Sequence, residues 1–272
     1  MNQITEKAAK VLQKVRDHSP LVHNITNYVT VNDCANALLA VGASPIMADD
    51  LEEAADIASI SSALVLNIGT LNRRTVESML AAGKKANEMG VPVVLDPVGA
   101  GASDLRNRTV MKLLEQVHMT VLRGNLSEMS FLAGMQSATK GVDAADSDKR
   151  NDAVSVAVSA AKKYGCTAAV TGAVDVLSDG DRVVKIHSGH PMLSCVTGTG
   201  CMTSALTGAC IAVTNVSLDA AAAAVAAMGI AGELAYESAG AKGTGSYHIA
   251  VIDALSRLNP ILFEERAKLD EA

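Results

Sequence analysis

Val91-Pro92-Val93-Val94-Leu95-Asp96-Pro97-Val98-Gly99-Ala100-Gly101 is an apolar run that ends on a carboxylate and a glycine turn. A continuous apolar run suits a parallel strand covered on both faces. The pattern repeats on either side. Upstream, Leu21-Val22-His23-Asn24-Ile25-Thr26-Asn27, Ser44-Pro45-Ile46-Met47 and Ala63-Leu64-Val65-Leu66-Asn67 read as strands, the last turning out through Ile68-Gly69-Thr70. Downstream, Met119-Thr120-Val121-Leu122 and Thr167-Ala168-Ala169-Val170 do the same. Helical periodicity fills the gaps at 4–17, 31–41, 51–59, 73–89, 104–116 and 151–164. Strand alternating with helix predicts an α/β fold, with a mostly parallel central sheet and helices on both faces. Val174-Asp175-Val176-Leu177 and Val183-Val184-Lys185-Ile186, joined by Ser178-Asp179-Gly180-Asp181, read as an antiparallel edge hairpin.

Composition narrows the function. Hydrophobic residues make up 49% of 272, aromatics only 2%, so the core must be built of Ala, Val, Leu, Ile and Met. A net charge of −6 argues against a general nucleic-acid or anionic-membrane surface, so any phosphate site is local. Five cysteines without a CxxC pair suit a reducing cytoplasm rather than a disulfide scaffold. The first residues are polar, and no run reaches the ~18 apolar residues of a membrane helix. No repeat or composition break divides residues 1–272, and a single domain is expected. The polar stretch 136–150 reads as an exposed loop within it.

Ligands in open α/β sheets bind beyond the carboxyl ends of the strands. Asn27, Met47, Gly69, Asp96, Arg123 and Thr171 all follow strands. To these the chain adds Thr197-Gly198-Thr199-Gly200-Cys201, a tight turn opening the helix Met202-Thr203-Ser204-Ala205-Leu206. A helix N-terminus holds anions on unpaired N–H groups, and glycines let the backbone approach closely. Cys201 in the first turn would have a lowered thiol pKa. The same pentapeptide also reads as a plain turn with a buried cysteine. Asp96 and Glu128 supply hard oxygens for Mg²⁺, directly or through water. Arg123 can stabilise a transferring phosphoryl group. This is a kit for phosphoryl transfer without GxxxxGK[ST]. His23 reads as a structural histidine. Cys34, Cys166, Cys195 and Cys210 read as core, and Lys242 as a surface or phosphate-side cation.

From about Ser19 to Ser256 the chain resembles the hydroxyethylthiazole kinase family, the thiamine-salvage branch of the ribokinase-like superfamily. Leu21 to Asn27, Gly42-Ala43-Ser44-Pro45-Ile46-Met47, Leu66-Asn67-Ile68-Gly69-Thr70-Leu71, Leu95 to Ala102, Arg123-Gly124-Asn125 and Thr197 to Cys201 carry the resemblance. It implies a ribokinase-like fold and transfer of the ATP γ-phosphate, with Mg²⁺, to the primary alcohol of 4-methyl-5-(2-hydroxyethyl)thiazole. It implies a cytoplasmic homotrimer with sites between subunits. Residue by residue, it implies thiazole contacts at Met47 and substrate contact at Gly198 in the anion turn 198–200. Asn27 and Gly69 fall on segments lining the thiazole pocket. The resemblance further implies ATP contacts at Arg123 and Thr171, metal-side acids at Asp96 and Glu128, and a catalytic role for Cys201. Most ribokinase-like kinases end the turn with Asp as general base. Cys201 follows the thiazole branch, whereas Thr199 stands where that branch often has Ala. A hydrated-cofactor dehydratase or another vitamin kinase of the same fold would keep that Asp. A Rossmann oxidoreductase would need an early G-x-G-x-x-G, which is absent. The intact acidic pair, Arg123 and glycine turn argue against a thiazole- or nucleotide-binding regulator.

Overall fold

The computed structural model describes residues 3–135 and 146–271. In chain order the elements are α1 Gln3–His18, β1 Leu21–Ile25, α2 Val31–Ala40, β2 Ser44–Ile46, α3 Ala54–Ile60, β3 Ala63–Asn67, α4 Arg73–Glu88 and β4 Val93–Asp96. There follow α5 Asp104–Gln116, β5 Val121–Asn125, α6 Leu126–Ala133, α7 Asp146–Tyr164, β6 Thr167–Thr171, β7 Asp175–Ser178 and β8 Val183–Ile186. After a short 3₁₀ turn at Pro191–Cys195 come α8 Thr199–Ile211, α9 Ser217–Ala239, α10 Thr244–Arg257, α11 Pro260–Arg266 and β9 Leu269–Glu271. Among the described residues, nine strands form one sheet in the order β2-β1-β3-β4-β5-β6-β7-β8-β9. Strands β1 to β6 pair in parallel, and β7, β8 and β9 add antiparallel neighbours. The expected α/β sheet with its antiparallel edge is therefore present.

The period of two along the strands builds both layers. In β3, Ala63 and Val65 join one cluster, with side chains of α1, α2, α8, α9 and α10. Leu64 and Leu66 face the other, with α3 to α7. Strand order reverses between β1 and β3, so the crevice of the fold opens at their carboxyl ends. Helix α8 fills the space beneath the sheet centre, and every residue from Met202 to Ile211 is buried.

Several elements differ from the sequence reading. Helix α6 was not anticipated, although Asn125 and Glu128 stand at capping-box spacing and make that box. Helix α3 begins at Ala54, because Asp50 accepts from the Glu52 N–H in a turn ahead of it. Residues 146–150 are helical rather than loop, and 136–145 lie outside the described residues. Cys195 is exposed, unlike the buried Cys34, Cys166 and Cys210. Strand β9 pairs with β8, a long-range partner that local sequence cannot name, and its Leu269 joins the core. Helix α9 with its 3₁₀ extension, Ser217–Lys242, has the length and mean hydropathy (1.5) of a membrane span, contrary to the expectation of none. It is 89% buried in that window and serves as the core helix.

Arg16 ties three helix ends together. Its Nη2 donates to the carbonyls of Leu255, Ser256 and Leu258 at 2.9–3.1 Å, and Nη1 reaches Ala40 O at 3.5 Å. The charge complements the C-terminal ends of α10 and α2. Arg16→Met keeps the stem but strands these carbonyls. It is expected to cost about 2 kcal/mol, read as a lower urea midpoint with unchanged slope, while specific activity of the folded enzyme is retained.

Candidate active site

Asp96 stands at the centre. It closes β4, is 1% exposed, and pairs in register with Asn67 of β3. Its Oδ2 accepts from Ser204 Oγ at 2.7 Å and from Asn67 Nδ2 at 2.8 Å, with Arg123 Nη1 at 3.8 Å. Its Oδ1 is buried with no hydrogen-bond partner in the protein. Burial pushes the carboxyl up to about 6, against the pull of Arg123, Ser204 and Asn67 and with a further push from Glu128.

Arg123 reaches from β5 between this carboxylate and the start of α8. Nη2 donates to Thr171 Oγ1 at 2.7 Å, whereas the buried Nε has no protein partner. Gly198 is the N-cap of α8, with φ +88, and no side chain caps the helix. A Cβ there would come within 2.7 Å of Thr30 Cγ2, so both conformation and space demand glycine. A Cβ on Gly200 would lie 2.7 Å from Arg123 Nη1. The guanidinium is thus laid against the uncapped helix start, and the two form a joint anion-binding surface.

Cys201 lies in the first turn of α8. Its Sγ accepts from Asn27 Nδ2 at 3.2 Å and Asn67 Nδ2 at 3.3 Å. The expected lowering of the thiol pKa is not found. Burial raises it, Asp96 raises it further, and hydrogen bonds from Thr30, Asn27 and Asn67 only partly oppose them. A neighbouring carboxylate and loss of water outweigh the helix terminus.

The remaining predicted residues frame this centre. Asn27 is buried, and its amide also accepts from Thr30 N and Oγ1 at 3.1 Å, so its polar edge is spent inside the protein. Gly69 donates to Asn67 Oδ1 at 2.9 Å. Its loop is clamped by Arg106, whose guanidinium binds Ile68 O, Val98 O and Gly69 O at 2.6–2.8 Å. Met47 is half-buried against the α8 side of the core. The adjoining Ala48 O takes a 2.6 Å hydrogen bond from His23 Nε2, the structural part read for that histidine. Glu128 accepts from Gly99 N at 2.8 Å and Asn125 N at 2.9 Å. It faces a separate groove with Gly99, Gly101 and Phe131 and reaches Asp96 only through its charge.

Beyond Arg123 and Thr171 opens a cavity of about 500 Å³. Thr199 and Gly200 form one wall, Gly189 and His190 another, and Val225 and Met228 an apolar floor. Asp175 also lines it, held by Gly172 N at 2.9 Å and pushed up to about 6 by burial. The sequence reading missed Asn67, Arg106, Asp175 and Ser204. Asn67 alone had a visible signal, a polar residue ending an otherwise apolar strand.

A doubly covered parallel sheet whose carboxyl edge brings together an uncapped glycine turn, an arginine and a buried acid, without a P-loop, defines a phosphotransferase of the ribokinase-like class. The comparisons carry this further. The model of the hydroxyethylthiazole kinase family matches residues 12–260, and the chain belongs to that family. It is 60% identical over 272 residues to the hydroxyethylthiazole kinase of Ruminiclostridium cellulolyticum, covering 100% of both chains. It is 58% identical to that of Clostridium beijerinckii, covering 99% of each. The solved hydroxyethylthiazole kinase of Pyrococcus horikoshii OT3 superposes with a TM-score of 0.89 at 44% identity, covering 97% of this chain and 98% of that one. An ADP complex of Bacillus subtilis pyridoxal kinase, at 20% identity, TM-score 0.58 and coverage of 78% and 90%, shares the fold. The chain is a kinase.

The raised Asp96 pKa has a consequence for stability. The folded protein binds this proton more tightly than the unfolded chain, so the Asp96 contribution to stability falls as pH rises from about 4 to about 6. Asp96→Asn mimics the protonated acid. Without ligands it is expected to raise the thermal midpoint at pH 7.5, with the two proteins converging near pH 4. Thermal scans across this range check it.

Proposed function

We propose that the protein transfers the γ-phosphoryl group of ATP to the primary alcohol of 4-methyl-5-(2-hydroxyethyl)thiazole, in thiamine salvage. Family membership supports the acceptor. The observation that carries the chemistry is Arg123 lying against the uncapped α8 turn, beside Asp96 and the cavity. In this reading the nucleotide occupies the cavity, with Arg123 and Thr171 at its phosphates. The γ-phosphoryl group sits on the N–H groups of 198–200. The thiazole lies on the other side, toward Asn27, Met47 and Gly69, with its hydroxyl at Cys201. We take the whole chain as one kinase unit.

The residues present fit Mg²⁺. Asp96 Oδ1 is a buried hard donor without a protein partner, and Glu128 stands nearby in charge. Among the described residues, no group of three or more His, Cys, Asp or Glu could form an all-protein metal site. The remaining ligands would be phosphate oxygens and water, as magnesium prefers. Asp96 and Glu128 would hold it, directly or through water, and the bound ion would neutralise charge on the phosphates.

Phosphoryl transfer has a loose transition state, so the acceptor proton can leave late. Cys201 need only orient the hydroxyl and, once ionised to thiolate with its own proton released to water, take the hydroxyl proton near the end. A homotrimer fits the apolar surface beside the acceptor side, and the free cysteines fit a reducing cytoplasm. Tyr28 and Val29 follow Asn27 directly at 79% and 56% exposure, cover that a neighbouring subunit would supply.

Two experiments test this reading. Arg123→Ala is expected to lower turnover with Mg-ATP and hydroxyethylthiazole by on the order of 10²–10³, as for other lost transition-state donors, with the fold intact. Near-normal turnover removes Arg123 from the phosphates. For Cys201, Ser should slow turnover without abolishing it, and Asp should remain active because its carboxylate is a competent base. Covalent catalysis predicts instead that both variants are dead and that phosphocysteine is trapped on quenching. Turnover of the two variants, with mass analysis of quenched enzyme, decides between them.

A further inference from the structure

Asn67 joins the two groups that face the reaction. Its amide has two N–H donors and a carbonyl acceptor, and every one is engaged. One N–H goes to Asp96 Oδ2 at 2.8 Å, and Cys201 Sγ lies 3.3 Å from the same nitrogen. The carbonyl accepts from Asn27 Nδ2 at 3.1 Å and from Gly69 N at 2.9 Å. The residue is 1% exposed, so water does not substitute for these partners. The orientation of the amide is fixed by chemistry. Flipped, it would set its carbonyl oxygen against a carboxylate and its NH₂ against two N–H donors.

No other side chain performs this at position 67. Asp would bring a second acid against Asp96 Oδ2. Ser lacks the second donor. Gln would carry the amide a methylene too far, into Asp96 or Cys201. The amide is also polarised from behind. Thr30 donates to Asn27, Asn27 to Asn67, and Asn67 to Asp96, so the donors run in one direction toward the buried carboxylate. Cys201 Sγ takes a branch from each asparagine. These two N–H groups occupy two directions around the sulfur, and an alcohol hydroxyl must approach from what remains.

We propose that Asn67 is a positioning residue for the phosphoryl transfer, its amide fixing the direction of Cys201 Sγ relative to the Asp96 carboxylate. This rests on the reading that Cys201 meets the acceptor hydroxyl. In that reading Asn67, buried behind Asp96 and Cys201, meets neither substrate directly. It acts through Cys201, so its effect belongs in kcat, and it depends on a sulfur being present to aim.

The test is a double-mutant cycle on the full-length enzyme, with kcat and both KM values measured for the parent, Asn67→Ala, Cys201→Ser and the double variant. Asn67→Ala is expected to lower kcat by on the order of 10- to 100-fold, with KM for hydroxyethylthiazole and for Mg-ATP within about three-fold. In the Cys201→Ser background the same change should cost several-fold less, because residues that act through one another are not additive. A merely structural asparagine would lose folded enzyme without this coupling. Should Asn67→Ala not fold, Asn67→Leu fills the volume and enters the same cycle. An equal loss in both backgrounds, with Cys201→Ser itself impaired, overturns the proposal and leaves the role of Cys201 standing. A kcat within about three-fold of the parent, or a loss confined to KM, overturns it as well. Parental kcat in Cys201→Ser instead removes the role given to Cys201, on which the proposal depends.

Discussion

A single buried carboxylate constrains the rest of this molecule. Asp96 is carried by an apolar strand into the middle of the sheet edge, where water cannot solvate it. A charge in such a place is costly unless it is paired and hydrogen-bonded. Neighbouring elements supply the partners: Asn67 from β3, Arg123 from β5 and Ser204 from α8. Each must be held close, and each is. β3 and β4 pair in register at Asn67 and Asp96. Arg123 is braced by Thr171 of β6. Helix α8 lies deep enough for Ser204 to reach, which places its uncapped N-terminus beside Arg123. The anion turn is therefore positioned by the same contacts that make the acid tolerable. Compensation is incomplete, and the carboxyl remains pushed up to about 6. A buried carboxyl perturbed in this way, set beside an arginine, an open helix start and a cavity, is the pattern of a functional site.

Much of this is legible in the sequence. Apolar runs of strand length, separated by helical periods, dictate a covered parallel sheet, and polar residues at their ends mark its active edge. Asp96, Arg123 and Thr171 follow from that rule, because a strand end fixes where its next residue lies, and Gly198 follows from the glycine turn that opens α8. Other features were illegible for identifiable reasons. Asn67 ends its strand like any polar residue, and only the register with β4 reveals what its amide touches. The capping part of Glu128 is a further case: beside the metal-side place proposed for it, both carboxylate oxygens accept backbone N–H groups, which its spacing from Asn125 spells. For Cys201 the local rule pointed the wrong way. Its place in the first turn promised an acidic thiol, but burial and Asp96 arrive through tertiary structure and prevail.

The choice of cysteine at position 201 follows from the same electrostatics. A thiol that burial keeps protonated adds no charge to the resting site. Asp96 is then balanced by Arg123 alone, and the uncapped α8 turn remains free to receive phosphate charge. A resting carboxylate at 201 would put a second anion beside Asp96. A protonated thiol is a poor base, which would be a defect if the alcohol had to ionise before attack. In a loose transition state it does not, because bond formation to the nucleophile lags behind departure of the leaving group. The proton becomes acidic only as the new P–O bond forms, when charge has already moved toward the nucleotide. At that stage the acceptor is the thiolate left when the S–H proton has gone to water, and the two amide N–H groups stabilise it until it takes the alcohol proton. The asparagine pair and the cysteine are thus one solution to one problem: a thiol that adds no charge at rest, and whose thiolate, when its proton has left to water, is held by two N–H groups as it takes the proton of the alcohol.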